Sequence, residues 1–157
     1  MKKVFLCLMA VAALGFASCN KNYAEDYEGS YKTDIYQTVT ITAFQISETD
    51  TTLAQDMNIV LVGDEGDVKI VFPYSDGTEE VFATGNVDKD GLHINASTMT
   101  ETDEETGLVV SMTFNAADAK LDGNSLTWQH TTTGSMSMGS NQVPMEGSLK
   151  FNATKQE

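Results

Sequence analysis

The side chains best suited to hold a ligand are Trp128 and His130, which stand two positions apart in an alternating segment. Alternate residues of a β-strand point to the same face of the sheet, so Trp128 and His130 are predicted to share a face with Leu126. An indole surface beside an imidazole forms a ligand platform with one hydrogen-bonding group. The alternative is that Trp128 anchors the core and His130 ends its strand near water. His93 is predicted to point outward, on the opposite face from this pair.

Carboxylates are concentrated in three short segments that could hold a divalent cation. They lie at residues 64–67, 88–90 and 103–105. A calcium loop needs a defined series of oxygen ligands, such as a 12-residue loop between two helices, and none of the three segments has that spacing. Met136 and Met138 could bind cuprous copper through their thioethers, but two soft ligands do not make a site. The sequence therefore predicts solvated turns, with no metal site and no cofactor.

Nucleophilic catalysis has no recognisable set of residues in this chain. Hydrolysis through a covalent intermediate needs a positioned serine or cysteine with a base and an orienting group, and no Gly-x-Ser-x-Gly segment occurs. A carboxylate pair for glycoside hydrolysis depends on pairing in space, which the sequence does not reveal. We therefore expect a protein that is not an enzyme.

The amino terminus carries the clearest motif. Two lysines precede an apolar run, residues 4–14, and the small residues Ala17 and Ser18 stand directly before Cys19. This arrangement resembles a bacterial lipoprotein signal peptide, whose cleavage leaves the cysteine first, with a thioether lipid and an acylated amine. The apolar run is too short to span a bilayer, which takes about 20 residues. The resemblance implies a signal peptide at 1–18 and attachment to the outer membrane through acyl chains such as palmitate on Cys19.

Removal of the signal peptide changes the composition of the chain. Of 157 residues 139 remain, a usual size for one domain, and their only cysteine is committed to lipid. Seven lysines then stand against 23 acidic residues, a formal charge of −16, and arginine is absent. Phosphate and nucleic-acid sites depend on arginine forks and basic patches, so nucleic acid is excluded as a partner. Residues 19–28 are predicted to form a lipidated tether and residues 29–157 a single folded domain.

From Gly29 onward, apolar residues alternate with threonine, serine or charged residues, the pattern of half-buried antiparallel strands. Turn sequences such as Asp76-Gly77 and Asp122-Gly123 separate the segments. About eight strands joined by short loops favour an all-β, antiparallel up-and-down β-barrel, because closure removes exposed edges. A two-sheet β-sandwich is the alternative. The strands are predicted near residues 29–47, 54–62, 67–73, 79–87, 91–101, 107–115, 118–133 and 143–153.

Three segments resemble the calycin-like, or lipocalin-like, β-barrel domains of lipoproteins from Gram-negative anaerobes. They are YEGSYK at residues 27–32, DAKLDGNSL at 118–126 and VPMEGSL at 143–149. Lipocalins themselves open with Gly-x-Trp and carry a late arginine packed on that tryptophan, whereas this chain has tyrosine at position 31 and no arginine. The resemblance implies a small closed barrel. Eight strands enclose either a filled core or room for one small ligand.

Alternation also predicts which residues face the interior. Met112 and Phe114 are candidates to bind a ligand together with Trp128 and His130. The six methionines of the mature chain would suit an adaptable apolar pocket, although methionine also fills gaps in ordinary cores. The predicted inward pairs are Val39 and Ile41, Ile59 and Leu61, Ile70 and Phe72, Leu92 and Ile94, Met112 and Phe114, Leu126 and Trp128, and Leu149 and Phe151.

One short motif suggests a modification. Asp50-Thr51-Thr52 resembles an O-glycan acceptor motif of exported proteins in related bacteria, which makes Thr51 a candidate acceptor; a polar loop is the alternative. Our first hypothesis for function is a non-enzymatic, lipid-anchored envelope protein that binds a small apolar ligand or an envelope partner. The rival hypothesis is a structural or interaction lipoprotein with a filled barrel and no ligand.

Overall fold

The computed structural model describes residues 23–63, 66–139 and 141–157. The predicted signal peptide, the lipidation site Cys19, the start of the tether and the carboxylates at positions 64 and 65 lie outside the described residues. Two short 3-10 helices, Tyr23–Asp26 and Thr42–Phe44, accompany ten strands. The strands are β1 (Gly29–Ile41), β2 (Ile46–Val62), β3 (Asp67–Pro73), β4 (Glu79–Asp88), β5 (Gly91–Ile94), β6 (Ser97–Asp103), β7 (Leu108–Phe114), β8 (Ala117–Asp122), β9 (Ser125–Met138) and β10 (Asn141–Lys155).

Eight of these strands form a closed antiparallel barrel. Each strand from β1 to β5 pairs with the next, β5 then pairs with β8, β8 with β9 and β9 with β10, and β10 returns to β1. Strands β6 and β7 form a hairpin outside the ring and join it where β7 pairs with β9. The predicted antiparallel β-barrel is therefore confirmed.

Four predicted strands have wrong boundaries: turns interrupt three of them, and the strand predicted at 54–62 begins at Ile46. The first ends at Ile41, since the chain turns through the 3-10 helix and through Gln45, whose φ of 54° is left-handed. The segment 91–101 is divided between β5 and β6. The segment 118–133 is divided by a hairpin at Gly123, where a φ of 58° favours glycine.

Side chains fill the interior of the barrel. Trp128 stacks on Phe151 with ring centroids 4.3 Å apart, and Met57, Ile70 and Leu92 are fully buried in the same cluster. All the predicted inward pairs lie within this cluster or pack against it, so the predicted alternation is confirmed. Burying a large apolar side chain contributes about 1.5–3 kcal/mol. A core of this kind holds the fold without a crosslink.

The chain enters the barrel at one end, which we call the N-terminal end. Ala24 of the first 3-10 helix is buried there, and the Tyr31 hydroxyl donates a hydrogen bond to the Tyr27 carbonyl at 2.5 Å. The Lys155 ammonium donates to the Asp26 carbonyl at 3.1 Å. Burial raises the pKa of Tyr31 to about 12, so its phenol stays protonated as a donor. Residues 23–28 therefore pack against the barrel at this end.

At the other end, the long strands continue past the barrel and build a six-stranded sheet in the order β2, β1, β10, β9, β7, β6. We call this sheet the extension. A strand rises about 3.3 Å per residue, so the far end of β1 lies on the order of 40 Å from Gly29. The extension comprises residues 46–52, 35–41, 141–149, 130–138, 108–114 and 97–103.

Serine and threonine cover the outer face of the extension. The hydroxyls of Thr98 and Thr113 lie 3.2 Å apart, and those of Thr38 and Thr49 lie 3.3 Å apart. Such cross-strand hydroxyl pairs stabilise a sheet while leaving its surface polar. Because side chains alternate along each strand, most apolar residues of the extension lie on its opposite face. The exceptions on the outer face are Tyr36 and Val109.

Candidate functional site

The inner face of the extension carries a central apolar strip that is continuous with the barrel interior. Directly opposed residues of an antiparallel pair point to the same side of the sheet. Ile35 lies opposite Phe151, and Phe151 lies opposite Trp128. The core residues Phe151 and Trp128 therefore share a face of the sheet with Ile35, the first residue of the extension on β1. We call this surface the methionine face. It is formed by Val39 and Ile41 of β1, Val143 and Met145 of β10, Met136 of β9, Val110 and Met112 of β7, and Met99 of β6.

Four methionines whose side chains the structure describes lie on this face. Met112 of β7 lies opposite Met99 of β6. On its other side Met112 lies opposite Gly134 of β9, which in turn lies opposite Met145 of β10, so these residues form one row across the sheet. Met136 lies in the neighbouring row. Met112 and Met145 are each 5% exposed, whereas Met99 at the edge is 37% exposed. Methionine is unbranched and polarizable, so it packs against irregular apolar surfaces. The methionine face is therefore partly open and adaptable in shape.

Two glycines allow the strands of the extension to approach closely. A Cβ added at Gly134 would lie 2.2 Å from the Ser111 carbonyl oxygen, and one at Gly147 would lie 2.0 Å from the Thr38 carbonyl oxygen. Glycine in a strand marks such a close backbone approach. Both positions belong to the inner face, so the two missing side chains shape the methionine face.

Aromatic rings close the interior where the extension meets the barrel. Phe82 of β4 packs edge-on against Phe114 at 5.5 Å and against His130 at 5.7 Å, and its centroid lies 5.2 Å from that of Phe151. Offset and edge-on ring pairs of this kind contribute about 0.5–1.5 kcal/mol beyond the area they bury. These rings form a floor between the filled barrel and the methionine face.

Phe82 reaches this floor through a β-bulge. Ile70 pairs with Ala83 and Val71 pairs with Val81, which leaves Phe82 as the extra residue of β4. A bulge re-aims a side chain that simple alternation would place elsewhere. Sequence reasoning missed Phe82 for this reason, because a single inserted residue leaves no periodic signal.

Trp128 and His130 use their polar atoms within the protein. Trp128 Nε1 donates to His130 Nε2 at 3.1 Å, and His130 Nδ1 donates to the Asn115 carbonyl at 2.6 Å. These two partners fix a neutral imidazole with its proton on Nδ1, and burial lowers the pKa of His130. The alternative in which His130 ends its strand near water is wrong, since the residue is 0% exposed in the middle of β9. A ligand-binding role for Trp128 and His130 stays a prediction.

The other two candidate ligand-binding residues lie beside this pair. Met112 and Phe114 are both 5% exposed, and the Phe114 ring lies 6.2 Å from that of His130. The structure thus brings all four predicted residues to the boundary between the barrel and the extension. Phe114 also lines the cleft described next.

A cleft opens between β4 and β6, two strands that do not pair with each other. It is lined by Glu80–Phe82, Ser97–Met99 and Phe114, and its volume is about 130 Å³. Sites for drug-sized ligands are roughly 300–1,000 Å³. The cleft therefore suits one side chain or a comparably small group.

Carboxylates border the methionine face on both sides. Glu48 and Asp50 of β2 and Glu101 and Asp103 of β6 point to the inner face, as their pairing with inward residues requires, and all four are exposed. Backbone N–H groups of the following turn, that of Thr106 first, lower the pKa of Asp103 and keep it ionised. Within the described ranges, the inner face of the extension carries no lysine. The apolar strip is therefore flanked by negative charge.

The predicted acidic turns are stabilised locally. Asp88 accepts a hydrogen bond from the backbone N–H of Asp90 at 2.7 Å. In the turn after β6, Asp103 accepts hydrogen bonds from the backbone N–H groups of Glu105 and Thr106. His93 points outward as predicted, with Nδ1 at 2.7 Å from Asp118 and Nε2 at 3.2 Å from Asp88. No group of three or more metal-ligating side chains is found among the residues that the structure describes.

Thr51, the candidate O-glycan acceptor, is exposed on β2. It lies opposite Tyr36 on the outer face of the extension, and its backbone N–H donates to Asp50 Oδ1 at 2.8 Å. The segment is a strand rather than the polar loop considered as the alternative. Strand β3 pairs only with residues 58–62 of β2. The edge of β2 that faces away from β1 is therefore unpaired at Thr51 within the described chain.

Comparison with known proteins leaves the fold and the site as the basis for assigning a function. No protein-family model matches the chain. No curated protein matches it at a significant level. In the part of the chain that is described, no helix is long and apolar enough to cross a membrane.

Proposed function

We propose that this protein is a lipid-anchored, non-enzymatic envelope protein whose calycin-like barrel is a scaffold for a binding surface. The motif that ends at Cys19 supports an anchor in the outer membrane. Residues 23–28 pack against the barrel at its N-terminal end, which is consistent with a domain held to the bilayer by that end. The extension then points away from the lipid.

The observation that carries the binding function is the partly exposed methionine face. Soluble domains rarely expose a contiguous apolar strip unless something covers it. Buried side chains, including the stacked rings of Trp128 and Phe151, occupy the barrel interior, so the extension is the better site for an apolar ligand or an envelope partner. Binding at this face requires no opening of the barrel.

The rival is a structural lipoprotein that binds nothing. It is supported by a core in which, among the described residues, every buried side-chain nitrogen and oxygen has a hydrogen-bond partner. Such a core is complete without a ligand. The rival does not account for the row of methionines between exposed carboxylates.

Site-specific photocrosslinking in living cells tests the binding function. We would place p-benzoylphenylalanine in the full-length chain at position 99, in place of exposed Met99 on the inner face. The matched control carries it in place of Thr100, the next residue of β6, which points to the outer face. Irradiation is expected to give a discrete adduct from position 99 and none from position 100.

The mass of the adduct separates the classes of ligand. A shift of several kilodaltons or more indicates a protein partner, and a shift of a few hundred daltons indicates a small apolar molecule. Equal crosslinking from both positions, or none from either, would contradict the proposed function and favour the structural lipoprotein.

A further inference from the structure

We infer that the methionine face binds a cationic amphipathic helix of a partner protein. This inference rests on the binding function proposed above and names the chemistry of its partner. Three properties of the extension support it: the width of its apolar strip, the charge on both sides of that strip, and the adaptability of its side chains.

The dimensions of the face suit one helix. The apolar strip runs from β1 across β10 and β9 to β7, and three strand spacings of about 4.8 Å give a width of roughly 14 Å. A helix with its side chains is about 10–12 Å across. Its side chains occupy the rows from Val39 to Val143, about five residues or roughly 16 Å along the strands. About 11 helical residues, at 1.5 Å each, would cover that length.

The charges on either side of the strip select the kind of helix. Glu48 and Asp50 border it on β2, and Glu101 and Asp103 border it on β6. An amphipathic helix with its apolar side on the methionines places its flanking side chains over these two edges. Lysine or arginine at those positions would meet carboxylates on both sides, whereas acidic residues would be repelled. Complementary charge of this kind also speeds association and suppresses wrong partners.

Methionine suits a surface that receives a helix from another protein. Its flexible thioether side chain repacks around aliphatic and aromatic anchors of differing shape. Helices bound in apolar grooves are held by anchors at positions i, i+3 or i+4, and i+7. Met99, Met112 and Met145 lie in one row across the strip. Met112 and Met145 are already buried, so the adaptable contacts open to such anchors are those of Met99 and half-buried Met136.

Two other occupants fit the surface less well. A second copy of this chain would oppose its own carboxylates to those of the first, and the whole sequence has a formal charge of −14. The mature segment from Cys19 to the first described residue spans only four bonds between residues, about 14 Å at full extension. It joins the described chain at Tyr23, at the N-terminal end, which lies on the order of 40 Å from the far edge of the extension.

Peptide binding to the full mature chain tests the inference. The lipidated protein is placed in phosphatidylcholine nanodiscs, and binding of a fluorescent 18-residue peptide of leucine and lysine with a helical apolar period is followed by anisotropy. Two comparison peptides replace lysine with glutamate or scramble the residue order. Empty nanodiscs correct for binding to lipid. Only the ordered lysine peptide is expected to bind the protein.

A pair of charge-matched variants locates the binding site. Glu48→Gln with Glu101→Gln removes one carboxylate from each side of the methionine face. Glu25→Gln with Glu28→Gln removes the same charge from the N-terminal end, where both residues are exposed. The first variant is expected to bind the lysine peptide about fivefold more weakly, as the loss of two exposed ion pairs predicts, and the second is expected to bind as the parent does.

Three results would overturn the inference. They are equal binding of the scrambled lysine peptide, equal binding of the glutamate peptide, and equal weakening by both charge variants. If position 99 still crosslinks in cells while the ordered lysine peptide fails to bind, the proposed binding function stands and only the cationic-helix partner is rejected. If both experiments fail, the binding function is rejected as well.

Discussion

The surroundings of the two histidines of the chain shift their pKa values in opposite directions. His130 is buried as a neutral imidazole, and a proton added to Nε2 would face the N–H of Trp128, so its pKa is lowered. His93 is exposed between Asp118 and Asp88, whose carboxylates raise its pKa. Folding therefore makes the first histidine a weaker base and the second a stronger one.

We predict that His130 and His93 affect the free energy of unfolding in opposite directions as the pH changes, His130 on the acidic side and His93 on the alkaline side. Below about pH 6.5 the unfolded chain binds a proton at His130 more readily than the folded chain does, so stability falls as the pH drops. The His93 contribution is fully present below about pH 6.5 and is lost as the pH rises through its raised pKa. His130→Gln should flatten the acidic limb and His93→Gln the alkaline limb.

Urea denaturation of both variants and the parent from pH 5.5 to 8 checks this prediction. Each variant serves as the control for the other, because each removes one histidine and leaves the remaining charges in place. The assignment fails if His130→Gln keeps the acidic decline of the parent.

Modification of Thr51 is a separate prediction at this scale. Thr51 is exposed in the part of β2 that has no strand on its outer edge, so its hydroxyl is accessible to a transferase. Thr51→Ala is expected to remove a glycan mass from the protein isolated from its own bacterium, with stability changed by less than about 0.5 kcal/mol. Thr49→Ala, two residues earlier on the same face, is the control and should keep the mass. An unmodified parent protein would rule the acceptor out.

Among the elements, the strands of the extension depend most on their glycines. Gly147→Ala would place a methyl group 2.0 Å from the Thr38 carbonyl oxygen, so β1 and β10 would have to separate. Overpacking of this kind costs about 1–3 kcal/mol. Chemical denaturation should show this loss, whereas Ser148→Ala on the outer face should stay within about 0.5 kcal/mol of the parent. Equal stability of the two variants would show that the strands accommodate the methyl group.

Alternation was sufficient to predict the barrel and most of its core. Pairs such as Leu126 and Trp128 repeat every two residues, and that period is set by the geometry of the strand itself. The interruption at residues 42–45 escaped prediction because Thr42-Ala43-Phe44 continues the strand-like composition. The left-handed Gln45 that ends it is a residue with no turn signature.

The candidate site was only partly visible in the sequence. Phe114 and His130 were found by alternation, but Phe82 depends on a bulge and the methionine face depends on register between distant strands. Met145 and Met112 meet across Gly134 although 33 positions separate them in the chain. Contacts between residues so far apart in the sequence depend on how all the strands pair in the closed sheet. A local sequence pattern does not specify that pairing.

For the whole molecule, the proposed lipid anchor predicts where the domain resides. Cys19→Ala is expected to abolish incorporation of labelled palmitate and to move the protein from the membrane fraction to the soluble fraction. Cys7→Ala, within the apolar run of the predicted signal peptide, is the matched control and should leave both properties unchanged. Palmitate on a Cys19→Ala protein would contradict the assigned lipidation site.

Strand β9 belongs to two structures at once. Its first residues pair with β8 in the barrel wall, its later residues pair with β7 in the extension, and β10 runs beside it throughout. Unfolding of the barrel therefore releases the extension as well. A partner present at 100 times its dissociation constant would add about 2.7 kcal/mol to the free energy of unfolding. Copies that hold a partner would outlast empty copies under attack by envelope proteases, so the amount of this protein in the cell would follow the supply of its partner.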